Sequence, residues 1–217
     1  MTDVVSGLYP VQLQPPLTVR AEPFPHVVVD GWWDPALLRA VLAEFPATDA
    51  PGWRRYDNGQ ERKLEGPAGL WGPRTREFLT LVKDRTPALE EAFGIPGLQM
   101  ETVGGGYHLI PPGGYLNVHT DFSRSPRTQR YRRLNLLVFL NEDWRDPGGH
   151  LELWDAEAKV VDVPPEFNRT VVFETSDHSW HGHPQPAEGW RRSVAAYFFT
   201  AEEPLGYRTD QSTIWHD

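Results

Sequence analysis

The order of apolar and polar positions divides the chain near residue 98. Before it, apolar residues recur at helical spacing. Leu37, Leu38, Val41, Leu42 and Phe45 fall on one stripe, so this stretch is expected to be a core-facing amphipathic helix. Asp34 stands at its N-cap and Pro35 in its first turn, the order that starts a helix well, and Pro46 ends it. Thr75 to Val82 reads as a second helix and Pro87 to Phe93 as a short third one, closed by Gly94 and Pro96. Phe24 to Val29 reads as a short strand in which His26 is structural. Residues 1–22 are Pro-rich and aperiodic, an arm expected to lie over the surface. Residues 47–72 mix Trp53, Tyr56 and Trp71 with many charges and read as a long irregular loop, a kind of segment that is often functional in compact domains.

From Leu98 onward, strand-like runs alternate with Gly, Pro and Asn turns. The runs are 98–103, 106–110, 115–119, 133–140, 150–154, 159–162, 170–174 and 190–200. Eight short strands in this spacing predict an antiparallel double-sheet barrel of the jelly-roll or cupin kind. The fold class expected is therefore mainly β with flanking helices. One domain is expected over residues 1–217: an N-terminal arm, strand and helical layer (1–97), the barrel core (98–200) and a polar C-terminal tail (201–217) with one Trp215, packed as a flap or mobile. Gly104-Gly105-Gly106 lies between strands with no helix following, so it is not a dinucleotide loop. No internal repeat is visible.

Composition narrows the chemistry. The 217 residues are 39% hydrophobic, with 9 Trp and 10 Phe, enough for a substantial core. There is no Cys, so a metal must be held by His, Asp or Glu. The formal charge of −9 argues against general nucleic-acid or membrane partners. No apolar run reaches membrane-spanning length and the N-terminus lacks the pattern of a signal peptide, so a cytoplasmic protein is expected. The local exception is Arg124, Arg127, Arg130, Arg132 and Arg133, read either as a solvated loop or as an electropositive rim for an anionic substrate group.

The candidate chemistry starts at Val118-His119-Thr120-Asp121-Phe122. In an extended segment, residues i and i+2 share a face, so His119 and Asp121 converge. With a further His from a distant strand they make a two-histidine, one-carboxylate set, which leaves open metal positions and suits non-haem Fe(II). The dyad alone is weak: a chain with 8 His and 14 Asp has about half such a match by chance. His150-Leu151-Glu152 is a rival pair. Gly148-Gly149 before it marks a tight turn, which puts the rival on a scaffold strand.

Several blocks together resemble the prolyl-4-hydroxylase-like branch of the Fe(II)- and 2-oxoglutarate-dependent dioxygenases. They are Pro23-Phe24-Pro25-His26-Val27, the run from Gly113 to Phe122, the run from Arg132 to Asn141 with Asp143-Trp144, and the run from Gly148 to Trp154. Phe173-Glu174-Thr175-Ser176, Ser179-Trp180-His181-Gly182 and the run from Arg191 to Phe199 follow in order. The resemblance implies a double-stranded β-helix. It implies His119 and Asp121 as the first two iron ligands and, of His178, His181 and His183, His181 as the third, because the family ligand commonly precedes Gly in such a segment. It also implies a basic anchor on the next strand for the distal carboxylate of 2-oxoglutarate.

Arg191 and Arg192 both stand there, on opposite faces. Arg191 shares its face with Ser193, Ala195 and Tyr197, and an aromatic six residues after the anchor fits the family, so Arg191 is chosen. Its planar fork matches a carboxylate. Asn135, Leu137 and Phe139 share a face of the preceding long strand. Family members often carry a Tyr where Phe139 stands, so another hydroxyl is needed. Ser193 or Tyr107 is the candidate, Tyr107 being equally readable as a core aromatic. Asn135 joins them as a co-substrate contact.

The implied cofactors are Fe(II), 2-oxoglutarate and O2, with ascorbate as a candidate stimulant. Asp121 speaks against a halogenase, which lacks the carboxylate. The implied reaction is decarboxylation of 2-oxoglutarate coupled to hydroxylation of a small molecule, such as an amino acid or natural-product intermediate. A peptidyl residue is the alternative substrate. A cupin-type metal module or zinc hydrolase ranks lower, since neither needs Arg191.

Overall fold

Alternation along the strands sends one set of side chains toward the helices and the other into a space between two sheets. The structure, a computed structural model, describes residues 16–216. Its strands are β1 (His26–Asp30), β2 (Arg54–Asp57), β3 (Arg62–Gly66), β4 (Gln99–Ile110), β5 (Leu116–Thr120), β6 (Tyr131–Phe139), β7 (Leu151–Trp154), β8 (Lys159–Val163), β9 (Arg169–Glu174), β10 (Trp180–His183), β11 (Arg191–Thr200) and β12 (Ile214–Trp215). Its helices are α1 (Pro35–Ala43), α2 (Pro73–Asp84) and α3 (Thr86–Phe93). A seven-stranded antiparallel sheet runs β1-β9-β6-β11-β4-β3-β2, and a five-stranded one runs β12-β5-β10-β7-β8. Together they form the double-stranded β-helix.

On the outer face of the larger sheet, Leu134, Leu136 and Val138 of β6, Val172 of β9, and Val194, Ala196 and Phe198 of β11 pack with Leu38, Val41, Phe78, Val82 and Leu89 of the helices. The alternate residues Phe139, Val171 and Phe173 meet Leu151, Leu153 and Val163 between the sheets. Each such large side chain contributes roughly 1.5–3 kcal/mol on burial, so these clusters hold the sheets and the helical layer in place.

The helices start as the pattern predicts. Asp34 Oδ1 accepts from Ala36 N at 2.8 Å, with Pro35 in the first turn. The N-terminus of α2 is capped from a distance: Glu44, at the end of α1, accepts from Arg74 N at 2.9 Å, Thr75 N at 2.8 Å and Thr75 Oγ1 at 2.9 Å. Three charge-assisted bonds thereby lock α1 to α2.

The expected loop over 47–72 contains the hairpin β2–β3. Strongly charged strands (Arg-Arg-Tyr-Asp, then Arg-Lys-Leu-Glu-Gly) hid it, a composition typical of sheet edges. Asn58 Oδ1 shapes its turn, accepting from Gln60 N and Glu61 N. The hairpin tip is pinned to the other sheet, because Arg62 N donates to Tyr115 O and Asn117 N to Gln60 O. Residues 1–97 therefore supply three strands of the larger sheet as well as the helices. The two strands expected at 98–103 and 106–110 are one strand, β4, whose register against β11 slips between Ala195 and Tyr197. Gly106 sits there at φ +103°, where a Cβ would lie 2.3 Å from Trp71 Nε1. Besides β2 and β3, two more strands were not foreseen: β10, with only four residues, and β12, with only two. Of the arm over 1–22, residues 1–15 lie outside the described residues, while Leu17 and Val19 pack on the helical cluster.

Burial alone would raise the Glu44 carboxyl, but the Arg74 and Thr75 donors and the Arg74 charge outweigh it and hold it below its ordinary value. Its stabilising bonds are fully present above about pH 4.5, the ordinary glutamate value, and are lost as pH falls through the lower folded value. Glu44→Ala should cost about 1 kcal/mol at neutral pH and flatten the acid loss of stability. Urea unfolding at neutral pH and in acid checks both.

Candidate metal centre and co-substrate pocket

The candidate metal-ligating side chains are brought together by one cross-strand pair. His181 of β10 lies directly opposite His119 of β5, so both rings emerge on the same face, with centroids 4.5 Å apart. Asp121, two residues past His119, turns to the same point. His119 Nε2 is 3.7 Å from Asp121 Oδ1, and His181 Nε2 is 3.4 Å from Asp121 Oδ2. One donor atom from each residue lies within 4.8 Å of the others. Gly182 is required beside His181, because a Cβ there would lie 2.8 Å from the carbonyl oxygens of Leu116 and Asn117.

The protonation states suit a cation. His119 Nδ1 meets Asn117 O at 2.9 Å and His181 Nδ1 meets Ser179 O at 2.8 Å. A carbonyl only accepts, so each Nδ1 carries the hydrogen and each Nε2 offers its lone pair to the cluster. Burial, then the neighbouring His119, pushes His181 down to about 4, so it is neutral at physiological pH. Burial alone would raise Asp121, but Arg132, His181 and His119 outweigh it and hold the carboxyl well below the usual range. Two imidazoles, each turning an Nε2 lone pair inward, and one ionised carboxylate fit a divalent iron that keeps open positions.

Asp121 is fixed by a buried pair that strand parity concealed. Asn135 Nδ2 donates to Asp121 Oδ2 at 2.6 Å, and Arg132 Nη2 lies 3.1 Å from the same oxygen. Arg132 also donates to Asn135 Oδ1 from Nε at 2.8 Å and from Nη2 at 2.6 Å. Its guanidinium stacks 3.8 Å from the Tyr197 ring centroid and 4.6 Å from that of Phe122. Simple alternation puts Arg132 on the face opposite Asn135. The register between β6 and β11 slips at this point: Leu134 opposes Phe198 while Arg132 opposes Phe199, leaving Arg133 as an extra, bulged residue. The bulge turns Arg132 inward. A signal was available, since adjacent Arg132 and Arg133 at the start of an apolar strand cannot both face solvent by alternation.

The rest of the arginine-rich segment is divided. Arg133 pairs with Glu174 at 3.3 Å and Arg124 lies over Tyr131 at 5.0 Å. Glu101 ties the loop down by accepting from Ser125 Oγ at 2.8 Å and from Thr128 Oγ1.

Beside the metal cluster, one cavity of about 70 Å³ is lined by Lys63, His108, Leu137, Phe173, His183, Arg191 and Ser193 together with the three ligands. Arg191 is 3% exposed. Its Nε donates to Gly149 O at 2.7 Å and its guanidinium lies 4.9 Å from the Phe139 ring centroid. Among the described residues no carboxylate pairs with it. Burial lowers it to about 9, so it stays charged at neutral pH. Ser193 Oγ and His183 Nδ1 are also buried without a partner. A buried cation lacking an anion, with an unsatisfied hydroxyl beside it, is a seat suited to a carboxylate. Arg192 points to the other side of the sheet, into clefts shared with Leu42.

Tyr107 is a correction. It faces the helices, fully buried, with its hydroxyl 2.5 Å from Thr75 Oγ1 and its ring against Phe45, so it is no co-substrate contact. The residues of β4 that line the cavity are its neighbour His108 and Ile110. His150 of the rival pair bonds Asp162 at 2.6 Å, away from the metal cluster. His178 is exposed beside Asp177, whereas His183 lies inside the cavity rather than at its mouth.

Such a fold, with two imidazoles and a carboxylate converging in it, suits a divalent metal that keeps open positions. Residues 105–200, rather less than half of the chain, match the model of the 2OG-Fe(II) oxygenase superfamily. Solved structures share the fold. A Pseudomonas putida prolyl-4-hydroxylase is 23% identical with a TM-score of 0.66, over 81% of this chain and 92% of its own. A Trichoplax adhaerens prolyl hydroxylase, in complex with a hypoxia inducible factor peptide fragment, is 15% identical with a TM-score of 0.61, over 80% and 83%. A 2OG-Fe(II) oxygenase family oxidoreductase from Burkholderia pseudomallei is 15% identical with a TM-score of 0.57, over 86% and 89%. No curated protein sequence matches the chain significantly.

Replacing Arg132 by Met keeps the stacking volume but removes the charge holding Asp121. Fe(II) or Mn(II) affinity, read by anaerobic calorimetry, should fall about 10- to 100-fold, the usual cost of losing an outer partner of a metal ligand.

Proposed function

We propose that this chain is an Fe(II)- and 2-oxoglutarate-dependent oxygenase that uses O2 to hydroxylate a C–H bond of its substrate, with His119, Asp121 and His181 holding Fe(II) and Arg191 anchoring the distal carboxylate of 2-oxoglutarate. The observation that carries this reading is a single cavity joining an imidazole and carboxylate donor set to a buried guanidinium without an anion among the described residues. Together, Fe(II), 2-oxoglutarate and O2 supply the oxidation, releasing succinate and carbon dioxide and placing one oxygen atom on the substrate.

The chain's own residues do the rest. Arg191 fixes one end of the co-substrate through a bidentate pair. Ser193 donates the hydroxyl bond that Phe139 cannot. Asn135 acts on Asp121 rather than on the co-substrate, keeping its carboxylate oriented and ionised together with Arg132. Leu137, Leu151 and Phe173 line the cavity with apolar surface that excludes water, which strengthens each charged contact inside.

For the substrate we favour a small molecule such as an amino acid or natural-product intermediate. Two features support it: the cavity is narrow, and Lys63 adds a second cation to its wall for an anionic group. A peptidyl residue is the second reading, favoured by the fold likeness to prolyl hydroxylases, one of them bound to a peptide. A succinate-release screen with Fe(II), 2-oxoglutarate and ascorbate, run over free amino acids and proline-containing peptides, separates the two.

His119→Ala, Asp121→Ala and His181→Ala should each abolish 2-oxoglutarate turnover, and full activity in any one would remove that residue from the ligand set. Arg191→Ala should raise the apparent KM for 2-oxoglutarate by about a hundredfold, the loss of a buried charged pair of roughly 3 kcal/mol. Arg192→Ala should change it little; the reverse order in steady-state kinetics would move the anchor to Arg192.

A further inference from the structure

The strand that carries His119, and Asp121 just past its end, are held by a segment outside residues 105–200. Gln211, 7% exposed, donates from Nε2 to Asp121 O at 2.9 Å and to Thr120 Oγ1 at 3.3 Å. Its backbone N–H donates to Ser123 Oγ at 3.1 Å, and its carbonyl accepts from Ser123 N at 3.1 Å and from Ser123 Oγ at 3.2 Å. Three residues on, β12 adds itself to β5, with Ile214 opposite Thr120 and Trp215 opposite His119. His216 N then donates to Val118 O at 2.8 Å, and the His216 ring packs on Trp180 and Trp154.

These contacts bracket the metal dyad. Direct cross-strand partners share a face, so the Trp215 indole lies against His119, with centroids 5.1 Å apart. His119 thereby has His181 and Trp215 as ring neighbours on the two strands flanking β5. Asp121 lies just past the end of β5, where no ladder bond restrains it. Its side chain is fixed by Asn135 and Arg132, but its main chain is fixed by Gln211.

We propose that residues 211–216 are a positioning strap for the metal ligands: Trp215 orients the His119 ring and Gln211 holds the Asp121 backbone, so this C-terminal segment sets metal affinity without touching the metal. The inference rests on His119 and Asp121 being metal ligands. Each ligand is pre-oriented by partners whose loss typically weakens metal binding by about 10- to 100-fold.

The test compares the full-length chain with Trp215→Ala, Trp215→Phe, Gln211→Ala and, as a control, Ile214→Ala, whose side chain is exposed on the same strand. The readouts are the Fe(II) dissociation constant, from anaerobic titration against a chelator, and the visible absorption of the Fe(II) protein with 2-oxoglutarate. Trp215→Ala and Gln211→Ala should each weaken Fe(II) binding about tenfold or more and shift the absorption. Trp215→Phe should recover most of the affinity, and Ile214→Ala should match wild type. Gln211→Ala removes little apolar surface, so it decides the matter if Trp215→Ala does not fold. Variants that lose melting temperature as apoproteins but bind Fe(II) like wild type would overturn the strap. A wild-type chain that takes up no Fe(II) would overturn the metal reading itself, and the titration separates these two failures.

Discussion

A carboxylate taken out of water must be matched by cations or donors, and Asp121 is the point where most of the molecule meets that demand. Leaving a buried charge unpaired costs about 3–5 kcal/mol, a large part of the stability of a domain. Asn135 and Arg132 reach its carboxylate from the larger sheet, His119 and His181 meet it from the smaller one, and Gln211 of the C-terminal segment holds its main chain. The two sheets cannot slide past each other without breaking this junction. A metal ion placed there adds the charge that the cluster is arranged to receive.

The second buried charge has the opposite sign and a different solution. Arg191 is surrounded by aromatic and backbone groups rather than by acids. Its match has to arrive with a ligand. Phe173 separates the two charged centres from the core: it stacks on His181, with centroids 4.5 Å apart, and belongs to the cluster between the sheets. The helical layer contributes from outside. Glu44 locks α1 to α2, and the helices fill the outer face of the sheet that carries both Arg132 and Arg191.

The parts of the fold legible in the sequence are those where one periodicity runs long enough. Three helices stood out through their apolar stripes and N-terminal prolines. On β11, alternation separated Arg191 from Arg192, because ten consecutive strand residues leave no ambiguity of face. Where a register slips, parity fails. One bulged residue in β6 turned Arg132 inward and out of the supposed surface cluster. The slip at Gly104–Gly106 left nothing in the residues themselves to say whether Tyr107 or His108 faces the cavity. Short or highly charged strands were missed for another reason. The strand β10 has four residues, two of them His, and β2–β3 is an edge hairpin whose charges mask its alternation.

Both ends of the chain close what the family-matching segment leaves open. That segment begins inside β4 and ends with β11. Cut at those limits, the larger sheet would lose β1, β2 and β3 and the smaller one β12, baring backbone donors and acceptors along β9, β4 and β5. Unpaired edges of that kind recruit other chains. The family-matching segment and the minimal well-behaved molecule are therefore different lengths of this polypeptide, and resistance to aggregation is a property that the flanking strands confer on its centre.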